Sequence, residues 1–216
     1  MALFRLFICL IFTCCIDFTT ARYAVLTSSY NSNTILALSQ SPYVVKNNVN
    51  IGDGVVFEIE NGVEILFVSD EYYYIACVNC ILNIGCDSMS NGVDSTSTNR
   101  RGLASNTTYT YIHLNNSESF DKWHLRGSIR VWENTQAKFC NVKFKGLDAV
   151  IAVADSAPNI PLVFDNCEFY ATYYVTEGKC CSIPELFMIF NDPWFHDVSH
   201  IQNHYSSCDF HNCIVS

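Results

Sequence analysis

Apolar and polar residues alternate in short runs along most of this chain, and turn-forming residues separate the runs. Val55, Phe57 and Ile59 alternate with Val56, Glu58 and Glu60; after Asn61-Gly62, the apolar set resumes at Val63, Ile65 and Phe67. A period of two marks a strand with one buried face, and Asn-Gly is a strong turn dipeptide. The pattern predicts many short strands rather than helices.

Three later segments match one another in residue type. Phe139-Cys140-Asn141-Val142-Lys143-Phe144 aligns with Phe164-Asp165-Asn166-Cys167-Glu168-Phe169, and that with Tyr205-Ser206-Ser207-Cys208-Asp209-Phe210. Each places an aromatic first, Val or Cys fourth, a charge fifth and Phe sixth. A shorter match relates Glu60-Asn61-Gly62, after Val55 to Ile59, to Glu133-Asn134-Thr135, after Ile129 to Trp132. A β-sandwich also has many short strands, but its strands have no reason to repeat residue types. The coils of a solenoid do, because each side chain stacks on its equivalent one coil away. The spacing therefore predicts a parallel β-helix in which Phe144, Phe169 and Phe210 form one inward stack. Cys167 and Cys208 should then occupy equivalent positions of neighbouring coils. The longer interval from Phe169 to Phe210 is assigned to a loop insertion near 171–195, which carries Cys180-Cys181.

The N-terminal half adds a resemblance. Ser41-Pro42-Tyr43-Val44-Val45, then Val49 to Phe67 with Gly62-Val63-Glu64-Ile65-Leu66-Phe67 at its end, closely resembles the first coil of extracellular right-handed parallel β-helix proteins of the pectin-lyase-like superfamily. Ile75 to Gly85 looks like their second coil, and Trp123 to Ile129 resembles a later Trp-Gly-Ile segment. The chain departs from the pattern at Asn61, where proline is usual, and at Cys80, where glycine is usual. The likeness runs from about Ser41 to Phe210. Coils of about 22 to 25 residues would give six or seven over residues 41–216, with 22–40 as a lead-in. No capping segment follows Ile214-Val215-Ser216, which suggests a truncated helix or self-association through the last coil.

The N-terminus adds an address. Arg5, the apolar run Leu6 to Ile16, and small Thr19 and Ala21 have the order of a signal peptide spanning 1–21. The run is shorter than the roughly 20 residues of a membrane-spanning helix. After cleavage nine cysteines remain: Cys77, Cys80, Cys86, Cys140, Cys167, Cys180, Cys181, Cys208 and Cys213. In an oxidising compartment these are disulfide candidates, and an odd number leaves at least one free or bonded to another chain. Asn106-Thr107-Thr108 and Asn115-Asn116-Ser117 are N-glycosylation sequons in a polar stretch. Half the residues are hydrophobic and 15% are charged, which excludes a disordered chain. A net charge of −9 without a basic patch argues against nucleic acid and anionic membranes as partners.

Catalytic chemistry is hard to find. Glycosidases of the resembled superfamily carry Asn-Thr-Asp, Asp-Asp, Gly-His-Gly and Arg-Ile-Lys motifs, and none occurs here. Its lyases use an acidic Ca²⁺ cluster with an Arg base, whereas Arg126 and Arg130 have no acid cluster beside them in sequence. Asp70-Glu71 is an isolated acidic pair, and Glu168 and Asp209 read as solvated outward positions. His196, His200 and His204 fall four apart, and on a helix N-capped by Asp192 they would share one metal-binding face. The surrounding residues fit strands better, so no metal and no cofactor is assigned. Cys77-Val78-Asn79-Cys80 reads as a structural disulfide. The expectation is a secreted or cell-surface scaffold or adhesion module that binds carbohydrate or another extracellular protein. The alternative is a polysaccharide-active enzyme of the same fold.

Overall fold

In the computed structural model, the described residues are 23–68, 71–86, 108–114, 127–132, 134–153, 162–172, 174–178, 186–196, 198–199, 206–211 and 213–215. The signal-peptide expectation, both sequons (Asn106 and Asn115), Cys180-Cys181, His200 and His204 lie outside them.

The strands form three parallel sheets, and the chain visits them in rotation. Sheet A has eight strands: β1 (Ala24–Val25), β4 (Tyr43–Val45), β7 (Glu64–Phe67), β10 (Thr110–Leu114), β13 (Val142–Lys145), β16 (Glu168–Tyr170), β19 (Trp194–His196) and β21 (Ile214–Val215). Sheet B has six: β2 (Ser29–Tyr30), β5 (Val49–Ile51), β8 (Tyr74–Cys77), β11 (Ser128–Val131), β14 (Ala149–Val153) and β17 (Tyr174–Gly178). Sheet C has seven: β3 (Thr34–Leu36), β6 (Val56–Ile59), β9 (Ile81–Ile84), β12 (Gln136–Cys140), β15 (Leu162–Asp165), β18 (Leu186–Asn191) and β20 (Ser206–His211). From β1 to β16 each strand pairs with the strand three later in sequence; after that, β18 pairs with β20 and β19 with β21. This is the parallel β-helix that the repeat predicts.

The core is built from columns of like residues. Phe144, Phe169 and Phe195 stack in sheet A, with centroids 5.2 and 5.0 Å apart. Phe139, Phe164 and Phe190 stack in sheet C at 4.7 and 4.8 Å. The two columns meet edge-to-face, as between Phe164 and Phe169 at 5.7 Å. Stacking within a column and T-shaped contact between columns are both favourable aromatic arrangements. The bend from sheet C to sheet A takes one left-handed residue: Asn141, Asn166 and Asp192 have φ of 54, 51 and 51°. Asn and Asp tolerate this region better than most residues. The Asn166 side-chain amide also donates to Asn141 Oδ1 at 2.8 Å.

Four expectations need correction. The lead-in 22–40 holds β1, β2 and β3, so coiling begins before Ser41. The insertion near 171–195 is largely a coil, formed by β17, β18 and β19. Phe210 pairs with Phe190 in sheet C and does not continue the column of Phe144 and Phe169. Cys208 pairs with Met188, and Met188 with Leu162, whereas Cys167 precedes β16 of sheet A. Cys167 and Cys208 are therefore not equivalent. One ambiguity explains the last three errors: the six-residue motif is aromatic at both ends, and the segment ending at Phe210 was matched by the wrong end. That segment pairs with Leu186 to Phe190, and Phe190 to Phe195 is the next copy of the motif, so these residues form a coil rather than a loop.

Two disulfides hold the corners. Cys77–Cys80 closes the bend from sheet B to sheet C, and Cys86–Cys140 joins neighbouring coils with Cα atoms 4.8 Å apart. The second closes a loop over a sequence separation of 54, for which chain entropy suggests about 4 kcal/mol of stabilisation. Cys167 is a buried free thiol and Cys213 an exposed one. Burial pushes the Cys167 thiol far above its ordinary range, so it stays protonated.

Phe169 is fully buried between two stacked rings. Phe169→Ala should lower unfolding free energy by about 3–5 kcal/mol in urea titrations; a loss near zero would contradict the column. In thiol labelling followed by peptide mapping, Cys167 should stay unmodified in the native protein and react once denaturant unfolds it.

Candidate functional site

With Phe144, Phe169 and Phe195 turned inward, the alternate residues of the same strands face outward. Sheet A thereby displays two columns. One runs Glu64, Tyr111, Lys143, Glu168, Trp194, and the other Leu66, His113, Lys145, Tyr170, His196. Tyr109, just before β10, reaches Lys143 of the first column with its ring.

Glu168 organises the middle of this face. It is outward by register but only 7% exposed, which corrects its expected role as a solvated charge. Lys143 Nζ lies 3.0 Å from Glu168 Oε2, and the Tyr170 hydroxyl donates to the same oxygen at 2.6 Å. The Tyr109 ring sits beneath Lys143 Nζ at 4.1 Å. A carboxylate with little solvent is stable only when cations and donors surround it. Burial, followed by donation to Glu168, raises the Tyr170 phenol well above the ordinary tyrosine value. Tyr109 is raised by burial and then by the nearby negative charge of Glu168.

Rings continue away from this centre. Tyr170 and His196 stack at 4.4 Å with planes 3° apart, and Trp194 leans on His196 at 4.5 Å. Trp194 and Tyr111 are 40% and 43% exposed, large areas for aromatic side chains. On the other side of Tyr111, His113 Nε2 and Glu64 Oε1 lie 2.8 Å apart.

The face thus offers flat rings among fixed charges. Among the described residues its two carboxylates, Glu64 and Glu168, stand three strands apart, or about 14 Å at the usual strand spacing. Two-carboxylate glycoside hydrolysis uses separations of roughly 5–9.5 Å, and each carboxylate here already has a cationic or imidazole partner. The arrangement is better suited to holding a ligand than to cleaving one.

Other proposed site residues are placed as follows. His196 is in a strand, after a left-handed turn at Asp192, so the helix that would align it with His200 and His204 does not start there. Among the described residues, no three His, Cys, Asp or Glu side chains are grouped to hold a metal ion. Tyr109, Tyr111, Tyr170 and Trp194 were not singled out from sequence. Their signal was the alternate position beside each inward Phe, readable only with the register in hand. Among the described residues no helix is long and apolar enough to cross a membrane. Comparison with protein-family models, curated proteins and solved structures returns no match.

A raised phenol predicts a pH effect of definite sign. An unfolded tyrosine loses its proton near pH 10, whereas native Tyr170 keeps it, so this contribution is complete below about pH 10 and is lost as pH rises towards the native value. Tyr170→Phe should cost about 1–2 kcal/mol at neutral pH, a charge-assisted hydrogen bond discounted for partial exposure. The variant should also lose stability less steeply than the parent above pH 10. Urea titrations between pH 7 and 11 check both.

Proposed function

We propose that this protein is a secreted or cell-surface β-helix that binds carbohydrate through the outer face of sheet A. The observation that carries the reading is the Tyr170–His196–Trp194 ring group beside the Lys143–Glu168–Tyr109 cluster. Aromatic faces suit the apolar faces of pyranose rings, while their polar edges and neighbouring charges accept and donate hydrogen bonds to hydroxyls. These groups stand on paired strands, so little ordering is needed before a ligand arrives. The two disulfides favour an oxidising compartment, in keeping with the signal-like N-terminus. The wide spacing of Glu64 and Glu168 favours binding over the enzymatic alternative.

A glycan array probed with the purified mature chain should give discrete hits. For a hit oligosaccharide, calorimetry on Trp194→Ala and Tyr111→Ala should show affinity at least about tenfold weaker, roughly 1.4 kcal/mol. Folding of both variants is checked by near-ultraviolet circular dichroism. An array without hits, or folded variants that bind like the parent, would overturn the reading.

A further inference from the structure

A separate group of residues on sheet B has the form of an anion-recognition site. Arg130 is an outward residue of β11; by register its neighbours are Ala76 on β8 and Ala152 on β14. Its guanidinium lies 4.0 Å above the centre of the Tyr74 ring and 5.8 Å from that of Tyr72. Ala76 is only 1% exposed although its position is outward. The Ala76 side of Arg130 is therefore filled, and on the other side Ala152, a single methyl, leaves the surface low.

Stacking on a ring engages the flat face of a guanidinium and leaves its in-plane N–H donors available. Among the described residues, none forms an ion pair with Arg130 or accepts a hydrogen bond from it. A guanidinium held in a fixed plane, with its fork unused, matches two oxygens of one carboxylate or sulfate.

The surroundings limit which anion fits. The chain as a whole carries a charge of −9. That excess of negative charge repels a densely charged polyanion far more than one isolated anionic group. We infer that Arg130, held by Tyr74 and Tyr72, binds a single sulfate or carboxylate substituent of an otherwise neutral glycan, with a sugar ring lying over Ala152. The site rests on its own geometry and does not require the sheet A face to bind.

The test follows the Arg130 Nε–Hε resonance of isotopically labelled full-length protein by NMR during titration. Glucose 6-sulfate, glucuronate, glucose, heparin and a short acidic peptide serve as probes. Glucose 6-sulfate, glucuronate or both should shift the resonance saturably, and glucose should not. Arg130→Gln should weaken that binding at least tenfold, and Arg130→Lys partly, because a lysine lacks the planar fork. Trp194→Ala should leave it intact, which separates this site from sheet A. The inference is overturned by no shift with either anionic sugar, by Arg130→Gln binding as the parent does, or by tighter binding of heparin or the peptide. If Arg130→Gln does not fold, the titration of the parent protein and Arg130→Lys decide.

Discussion

Register between coils is the constraint on which this molecule depends. Each strand lies about 4.8 Å from the next, so whatever one coil turns inward must tolerate a neighbour of its own kind at that distance. Phe meets this condition when its rings lie parallel, as they do at Phe139, Phe164 and Phe190. The single left-handed residue at the sheet C to sheet A bend keeps both Phe columns in step, since it fixes how many residues separate them in every coil. Lengthening that bend by one residue would turn the following strand inside out.

The outer faces follow from the same constraint. Once the inward positions are committed, the alternate positions stack as well, and side chains distant in sequence become neighbours. Lys143 and Glu168 meet in this way, as do Glu64 and His113, and Tyr170 and His196. The face of sheet A is thus assembled by coiling alone, from residues of five separate strands. Its stable centre, a nearly buried carboxylate met by the Lys143 ammonium and the Tyr170 phenol, gives the rings around it a fixed floor.

Much of the fold was legible in the sequence because β-helix coils advertise themselves by repeating residue types. The alternation at Val55 to Phe67 and the match between Phe139–Phe144 and Phe164–Phe169 both survive in the register. The C-terminal coils were misaligned because Phe190–Phe195 carries Asp192-Pro193-Trp194 where earlier coils have Asn, Val or Cys, and a charge. Its kinship with them lies only in the terminal phenylalanines and the bend. The first coil was missed for a related reason: its strands β1, β2 and β3 are too short to show alternation. The site was less legible than the fold, since nothing in one strand announces which side chain of the next will lie beside it.

The Cys86–Cys140 bond acquires a different meaning when the molecule is considered as a tether. A solenoid pulled at its C-terminal end yields by peeling, one strand at a time, each rupture opposed only by the few hydrogen bonds to the coil beneath. Peeling from that end can release the coils after Cys140, but there the load passes from hydrogen bonds to a covalent link with the preceding coil. The segment between Cys86 and Cys140 then cannot add to the length paid out. Under tension the chain would pay out the coils after Cys140 and then, through the sulfur–sulfur bond, those before Cys86, with the segment between the two cysteines held in reserve.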